Sequence, residues 1–244
     1  MHRFRIAEHQ GEYFLLRGEE REHLVRVLRL AAREVIAGFD NSGGEWLAEI
    51  ERIETSEVVC RIIAEEYPSV EARTAVYLVT GLTKGEKMEW VVQKGTELGM
   101  AGLIPLRAKR SVMQLEGKRA AERVARWQKI AAEAVKQSRR VKEPRIEQVS
   151  DWAELGQLVS EAQWLIPYEE EKTSGLSQVL KELDASRPIA ILIGPEGGFD
   201  SSEVKWAKEE LGACPVSLGP RILRAETAAV ATLTMILANY GDLG

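Results

Sequence analysis

The sequence predicts an α/β protein, a parallel sheet with helices on both sides, preceded by a small all-β domain. Three observations carry this. Runs such as Ala75–Leu82 and Ile189–Ile193 are apolar at consecutive positions, as strands buried on both faces are. Stretches of helical periodicity separate them, which is the pattern of a parallel sheet. The first seventy residues instead hold short strand-like runs, and the composition changes near Tyr67-Pro68-Ser69.

The elements follow in order. His2–Ile6, Glu12–Leu16, Glu34–Phe39, Trp46–Ile50 and Val58–Ile63 read as strands, with one short helix over about Glu19 to Leu30. Asn41-Ser-Gly-Gly between two of them is a hairpin turn. This set predicts a small β-barrel over residues 1–69 and an α/β domain over 70–244. In the second part, Ala75–Leu82 leads to a helix over Glu86–Leu98 that Gly99 stops. Strand Gly102–Leu106 precedes a long helix from about Lys118 to Arg139. Trp164–Pro167, Ile189–Ile193 and Pro215–Leu218 continue the strands. Helices are expected over Leu176–Leu183, Ser201–Leu211 and Thr227–Asn239.

Composition narrows the class. Hydrophobic residues make up 45% of the 244, enough for a proper core. The uncharged stretch from Ala228 to Tyr240 is too short to span a bilayer, so no membrane partner is expected. Cys60 and Cys214 have no metal spacing; neither zinc nor a disulfide framework is expected, and the default setting is reducing and cytoplasmic. The net charge of −5 hides an uneven distribution. Residues 107–145 hold thirteen Lys/Arg against four Asp/Glu, and the remainder holds twenty against thirty-four. Such a basic segment suits a polyanion or is a solvated helix face, and charge alone leaves the two level.

Ligands of an open parallel sheet bind beyond the carboxyl ends of its strands. Three unusual loops are expected there: Thr80-Gly-Leu-Thr-Lys-Gly, Gly194-Pro-Glu-Gly-Gly-Phe and Gly219-Pro-Arg-Ile-Leu-Arg-Ala-Glu-Thr-Ala. Any one of them is satisfied as an ordinary tight turn. Two at successive strand ends, with Glu196, Arg224 and Glu226 inside them, point to a site. No dinucleotide fingerprint, P-loop or nucleophile elbow is present. Histidines occur only at positions 2, 9 and 23, so the α/β domain has no histidine base of its own.

Taken together, Gly194–Phe199 and Leu218-Gly-Pro-Arg-Ile-Leu-Arg-Ala-Glu-Thr-Ala resemble the SPOUT class of methyltransferases. With Lys94-Gly-Thr-Glu-Leu-Gly, Arg110-Ser-Val, Arg126-Trp-Gln-Lys-Ile, Glu133-Ala-Val-Lys-Gln-Ser-Arg-Arg and Met1-His-Arg-Phe, the chain is similar to the ribosomal RNA small subunit methyltransferase E family. Ala225, where that family often has Thr, and Gly95, where it usually has Ala, are departures. The resemblance implies a PUA-like β-barrel followed by a trefoil-knotted α/β domain and a homodimer. It also implies transfer of a methyl group from S-adenosylmethionine to N3 of one uridine in 16S rRNA. Cofactor contacts would fall on Thr80, Gly81, Leu82, Ile166, Gly194, Pro195, Glu196, Gly197, Gly198, Leu218, Gly219, Ile222, Leu223, Arg224 and Thr227.

Methylating N3 displaces a proton and puts negative charge on O2 and O4, which an arginine stabilises. Arg224 is the first candidate, then Arg110 and Arg140, with Glu97 or Glu226 as a base if one is needed. RNA contacts are expected from Arg3, His23, Arg26, Arg29, Arg123, Arg126 and Lys129. Two other readings compete: methylation of tRNA or a ribose 2′-hydroxyl on the same scaffold, and a non-catalytic RNA-binding assembly protein.

Overall fold

The computed structural model describes residues 1–243 and divides into two compact units. The first comprises Met1–Glu71 with Val135–Lys142; the second comprises Ala72–Ala134 with Glu143 onward.

The first unit is a curled sheet of β1 (Arg3–Arg5), β2 (Glu8–Gln10), β3 (Tyr13–Arg17), β4 (Val35–Phe39), β5 (Glu45–Ile53) and β6 (Glu57–Glu66). Its order is β1-β4-β5-β6-β3-β2, so the two outermost strands are joined by only Ile6 and Ala7. The sheet must curl until its ends meet, as in a barrel. Two register shifts between β5 and β6 add the twist this requires. Phe4, Phe14, Leu16, Ile36 and Ile50 fill the interior. The hairpin turn is present, with Asn41 and Gly43 at positive φ and Ser42 N–H donating to Asp40.

The expected helix over 19–30 is α1 (Gly18–Glu22), which widens into a π-helical turn over His23–Leu28. The wider turn seats Leu24 in the core and ends at Arg29, whose φ is +56°.

The second unit carries β7 (Val76–Gly81), α2 (Lys87–Leu98), β8 (Gly102–Leu106), α3 (Gly117–Ser138, its last turn belonging to the first unit) and β9 (Arg145–Ile146). Then follow α4 (Leu155–Leu158), β10 (Gln163–Pro167), α5 (Leu176–Val179), β11 (Ile189–Ile193), α6 (Ser201–Glu210), β12 (Cys214–Val216) and α7 (Ala225–Asn239). The sheet is parallel throughout, in the order β12-β10-β11-β7-β8-β9.

Alternation along each strand feeds two cores. Val76, Leu78, Ile189, Ile191 and Ile193 face one, with Val91 of α2, Trp127 of α3 and Leu233 of α7. Val79, Ala190, Leu192 and Ile166 face the other, with Val204 and Ala207 of α6. The central strands β7 and β11 are therefore apolar on both sides, as the sequence predicts. Among the described residues no helix is long and apolar enough to cross a membrane.

Candidate functional site

The carboxyl ends of three adjacent strands, β11, β10 and β12, open onto a cavity of about 560 Å³ within the second unit. Its walls are three loops: Pro167–Glu171 after β10, Gly194–Phe199 after β11 and Ser217–Arg224 after β12, closed by the first turn of α7. The size falls in the range of small-molecule sites.

Glycine makes this shape. Gly198 and Gly219 sit at φ +68° and +105°, a region that strains side-chain-bearing residues. The loop after β10 is tied to β12, since Tyr168 N–H donates to Val216 and Ser217 N–H to Ser174.

Thr80, Gly81 and Leu82 do not line the cavity; they are buried beneath it. A Cβ on Gly81 would come within 2.6 Å of Pro195 Cδ, so the end of β7 is the floor on which the Gly194–Gly198 loop rests. Thr80 pairs in register with Ile193, and its Oγ1 is buried without a partner.

Glu196 performs a similar task from above. Its Oε1 accepts from Lys84 N–H at 3.0 Å and Lys87 Nζ at 3.1 Å, joining the loop after β7 to the loop after β11. Burial pushes its pKa up, but these donors and its own N–H outweigh that and hold it below the ordinary value.

Arg110, a catalytic candidate, does not line the cavity; it braces the loop after β11, donating to Gly197 O at 3.2 Å and Asp200 at 3.1 Å. Asp200 caps α6, and its carboxyl is held at about 2, chiefly by the Ser202 hydroxyl and N–H. Buried Glu203 completes the capping box while accepting from Lys109 N–H and Trp152 Nε1.

Arg224 is the N-cap residue of α7 and lines the cavity. Among the described residues neither its guanidinium nor that of neighbouring Arg221 has a hydrogen-bond or ion-pair partner. Gly194, Pro195, Gly197, Gly198, Leu218, Gly219, Ile222 and Leu223 also line it, with Ile222 90% exposed at the mouth. Glu226 adds a buried Oε2 that no donor satisfies.

Other sequence candidates lie elsewhere. Ile166 is buried on the α6 side of the sheet, and Thr227 is exposed on α7. Glu97 pairs with Lys94 at 2.8 Å in the last turn of α2. Arg140 is 5% exposed in the first unit, gripped by Glu71, which also accepts from Val141 and Lys142 N–H. Arg3 pairs with Glu45 and donates to the carbonyls of Val135, Lys136 and Arg140, so it anchors that segment.

Of the remaining expected RNA contacts, His23 and Arg26 line a shallow hollow and Arg26 pairs with Glu22, while Arg29 is exposed and unpaired among the described residues. Arg123 and Arg126 share the single carboxylate of Glu89, and Lys129 is exposed on the same helix. The sequence reading missed Pro167, Tyr168, Glu169 and Glu171. A signal was available, because they follow a strand-like run just as the glycine loops do. Among the described residues no cluster fit to hold a metal ion occurs.

The chain matches the family model of the RNA methyltransferase domain over residues 70–237 and that of the RNA methyltransferase PUA domain over residues 16–63. It is 37% identical to ribosomal RNA small subunit methyltransferase E of Bacillus subtilis, covering 91% of this chain and 89% of that one. The crystal structure of a ribosomal RNA small subunit methyltransferase E from Neisseria gonorrhoeae, bound to S-adenosylmethionine, superposes with a TM-score of 0.85. The two are 30% identical, over 98% of this chain and 97% of that one. A putative methyltransferase from Legionella pneumophila, also with bound S-adenosylmethionine, gives a TM-score of 0.80 at 28% identity over 98% of both chains.

Proposed function

This chain belongs to the ribosomal RNA small subunit methyltransferase E family and is an S-adenosylmethionine-dependent rRNA methyltransferase, and we propose that its acceptor is N3 of one uridine in 16S rRNA. The single observation that carries the site assignment is the cavity at the ends of β10, β11 and β12, with unpaired Arg224 on its wall.

The residues present fit the cofactor. The cavity has room for a small molecule, and its glycines open backbone groups to a close approach. Gly194–Gly198, Leu218, Gly219, Ile222 and Leu223 would hold it, with Thr80–Leu82 and Glu196 setting the loop beneath. When bound, it supplies an activated methyl group on a sulfonium.

This chain's own task is to present uridine N3 in line and to stabilise the charge that develops on O2 and O4. Arg224 meets that need because its guanidinium is not committed elsewhere. Arg110, paired with Asp200, holds the wall.

RNA contacts on the first unit would come from Arg29, Arg26 and His23, and on the second unit from Arg123, Arg126 and Lys129 of α3. Two guanidiniums on one carboxylate leave a net positive face. The partly exposed stripe Thr227, Val230, Ala231 and Thr234 on α7 suits a homodimer contact, and a knotted C-terminal segment is part of this reading. Its place of action is then the cytoplasm, with the ribosome.

Mass spectrometry of digested rRNA tests the acceptor; a methyl on a ribose oxygen or on tRNA overturns it. Arg224→Ala should cut turnover about 100-fold or more while cofactor binding persists, the scale for removing one charge-stabilising donor. Undiminished turnover would remove Arg224 from the mechanism.

A further inference from the structure

We propose that Glu226 is the group that takes the proton from the acceptor nitrogen, an inference that rests on the uridine-N3 reading above. The unit that holds the cavity contains no histidine, Lys87 is tied to Glu196 and burial pushes the Tyr168 phenol up, which leaves the carboxylates as proton acceptors. Four of these line the cavity, and three are otherwise engaged or open to water. Glu196 is held by Lys84 and Lys87, and Glu171 accepts from Thr173 and Ser174. Glu169 is exposed. Glu226 alone presents a buried oxygen with no donor.

Such an oxygen is costly to leave unsatisfied, so a bound donor is the natural complement. An imide N–H is one. The position also suits the chemistry. Glu226 lies in the first turn of α7, two residues beyond Arg224, so a base and a cation for the developing charge belong to one helix start.

The step balances. The N3–H bond breaks and an O–H bond forms on the Glu226 carboxylate. The pair left on N3 becomes the bond to the methyl carbon. That carbon's bond to sulfur breaks with its pair on sulfur, which neutralises the sulfonium. Charged neighbours in the cavity are Lys87, Glu169, Glu171, Glu196, Arg221 and Arg224, and the pH profile of the reaction must be read against them.

The test compares wild type, E226Q and E226D on RNA carrying uridine or 5-fluorouridine, whose N3 proton is more acidic. Calorimetry with S-adenosylmethionine runs in parallel. For E226Q the expected result is unchanged cofactor affinity and a kcat about 100-fold or more lower. Its rate should climb with pH, and 5-fluorouridine should restore much of the loss. E226D, which keeps the carboxylate one methylene shorter, should sit between, and it serves alone if E226Q fails to fold. Unchanged kcat, a loss confined to cofactor affinity, or a loss that 5-fluorouridine does not relieve overturns the proposal. Wild type that methylates no N3 would instead refute the underlying reading.

Discussion

At Gly81 the backbone φ is not in the left-handed region, so the requirement for glycine there is one of space. A Cβ would meet Pro195 Cδ at 2.6 Å and Pro195 N at 2.8 Å, both parts of a rigid ring and its backbone. Gly81→Ala should therefore lift the Gly194–Gly198 loop and cost about 1–3 kcal/mol, the scale of overpacking a filled site. Calorimetry should show weakened cofactor binding, and wild-type affinity would contradict the role given to β7. The contact explains why position 81 reads as part of the site in the sequence yet lies under it. Arg3, Arg140 and Arg224 pose the same problem. All three are arginines in the motifs that carry the resemblance, but two are committed to Glu45, Glu71 and backbone carbonyls. Motif letters do not record which guanidinium is already neutralised; only the fold does.

Among the elements, α6 shows how a helix start supports the site. Asp200 caps it, accepts from Ser202 and receives Arg110, so one carboxylate orients both the helix and a cavity wall. With its pKa near 2 against about 3.9 for a free Asp, its contribution to stability is present above pH about 4 and fades as pH falls toward 2. Asp200→Ala should lower the melting temperature at neutral pH, and the difference from wild type should shrink through that acid range. A constant difference down to pH 2 would mean the carboxylate's charge is irrelevant. The major strands and helices were legible because burial on both faces leaves continuous apolar runs, as in Ile189–Ile193. β9 was not, since two residues carry no periodicity. The π-helical turn at His23–Leu28 was equally hidden, because the pattern that seats Leu24 inside is compatible with an ordinary α-helix. The loop Tyr168-Glu-Glu-Glu carries no glycine to mark it as a site.

For the whole molecule, the remaining question is how a helix so apolar is covered. Ala229, Leu233, Ile236 and Leu237 of α7 are buried in its own unit, but Val230 and Ala231 are only partly so. Both follow Thr227 at helical spacing and lead to Thr234, which makes a continuous weakly polar stripe. Water is a poor partner for such a face next to a ligand site, and a second copy related by two-fold symmetry would cover it with the same stripe. The expected outcome is that the protein sediments as a dimer and that a charge placed in the stripe splits it. Val230→Glu should give a folded monomer by analytical ultracentrifugation and circular dichroism. Its methylation should fall at least tenfold if the first turn of α7, with Arg224 and Glu226, depends on the partner for its position. A wild-type monomer with full activity would refute the dimer. A dimeric Val230→Glu would remove this stripe as the contact.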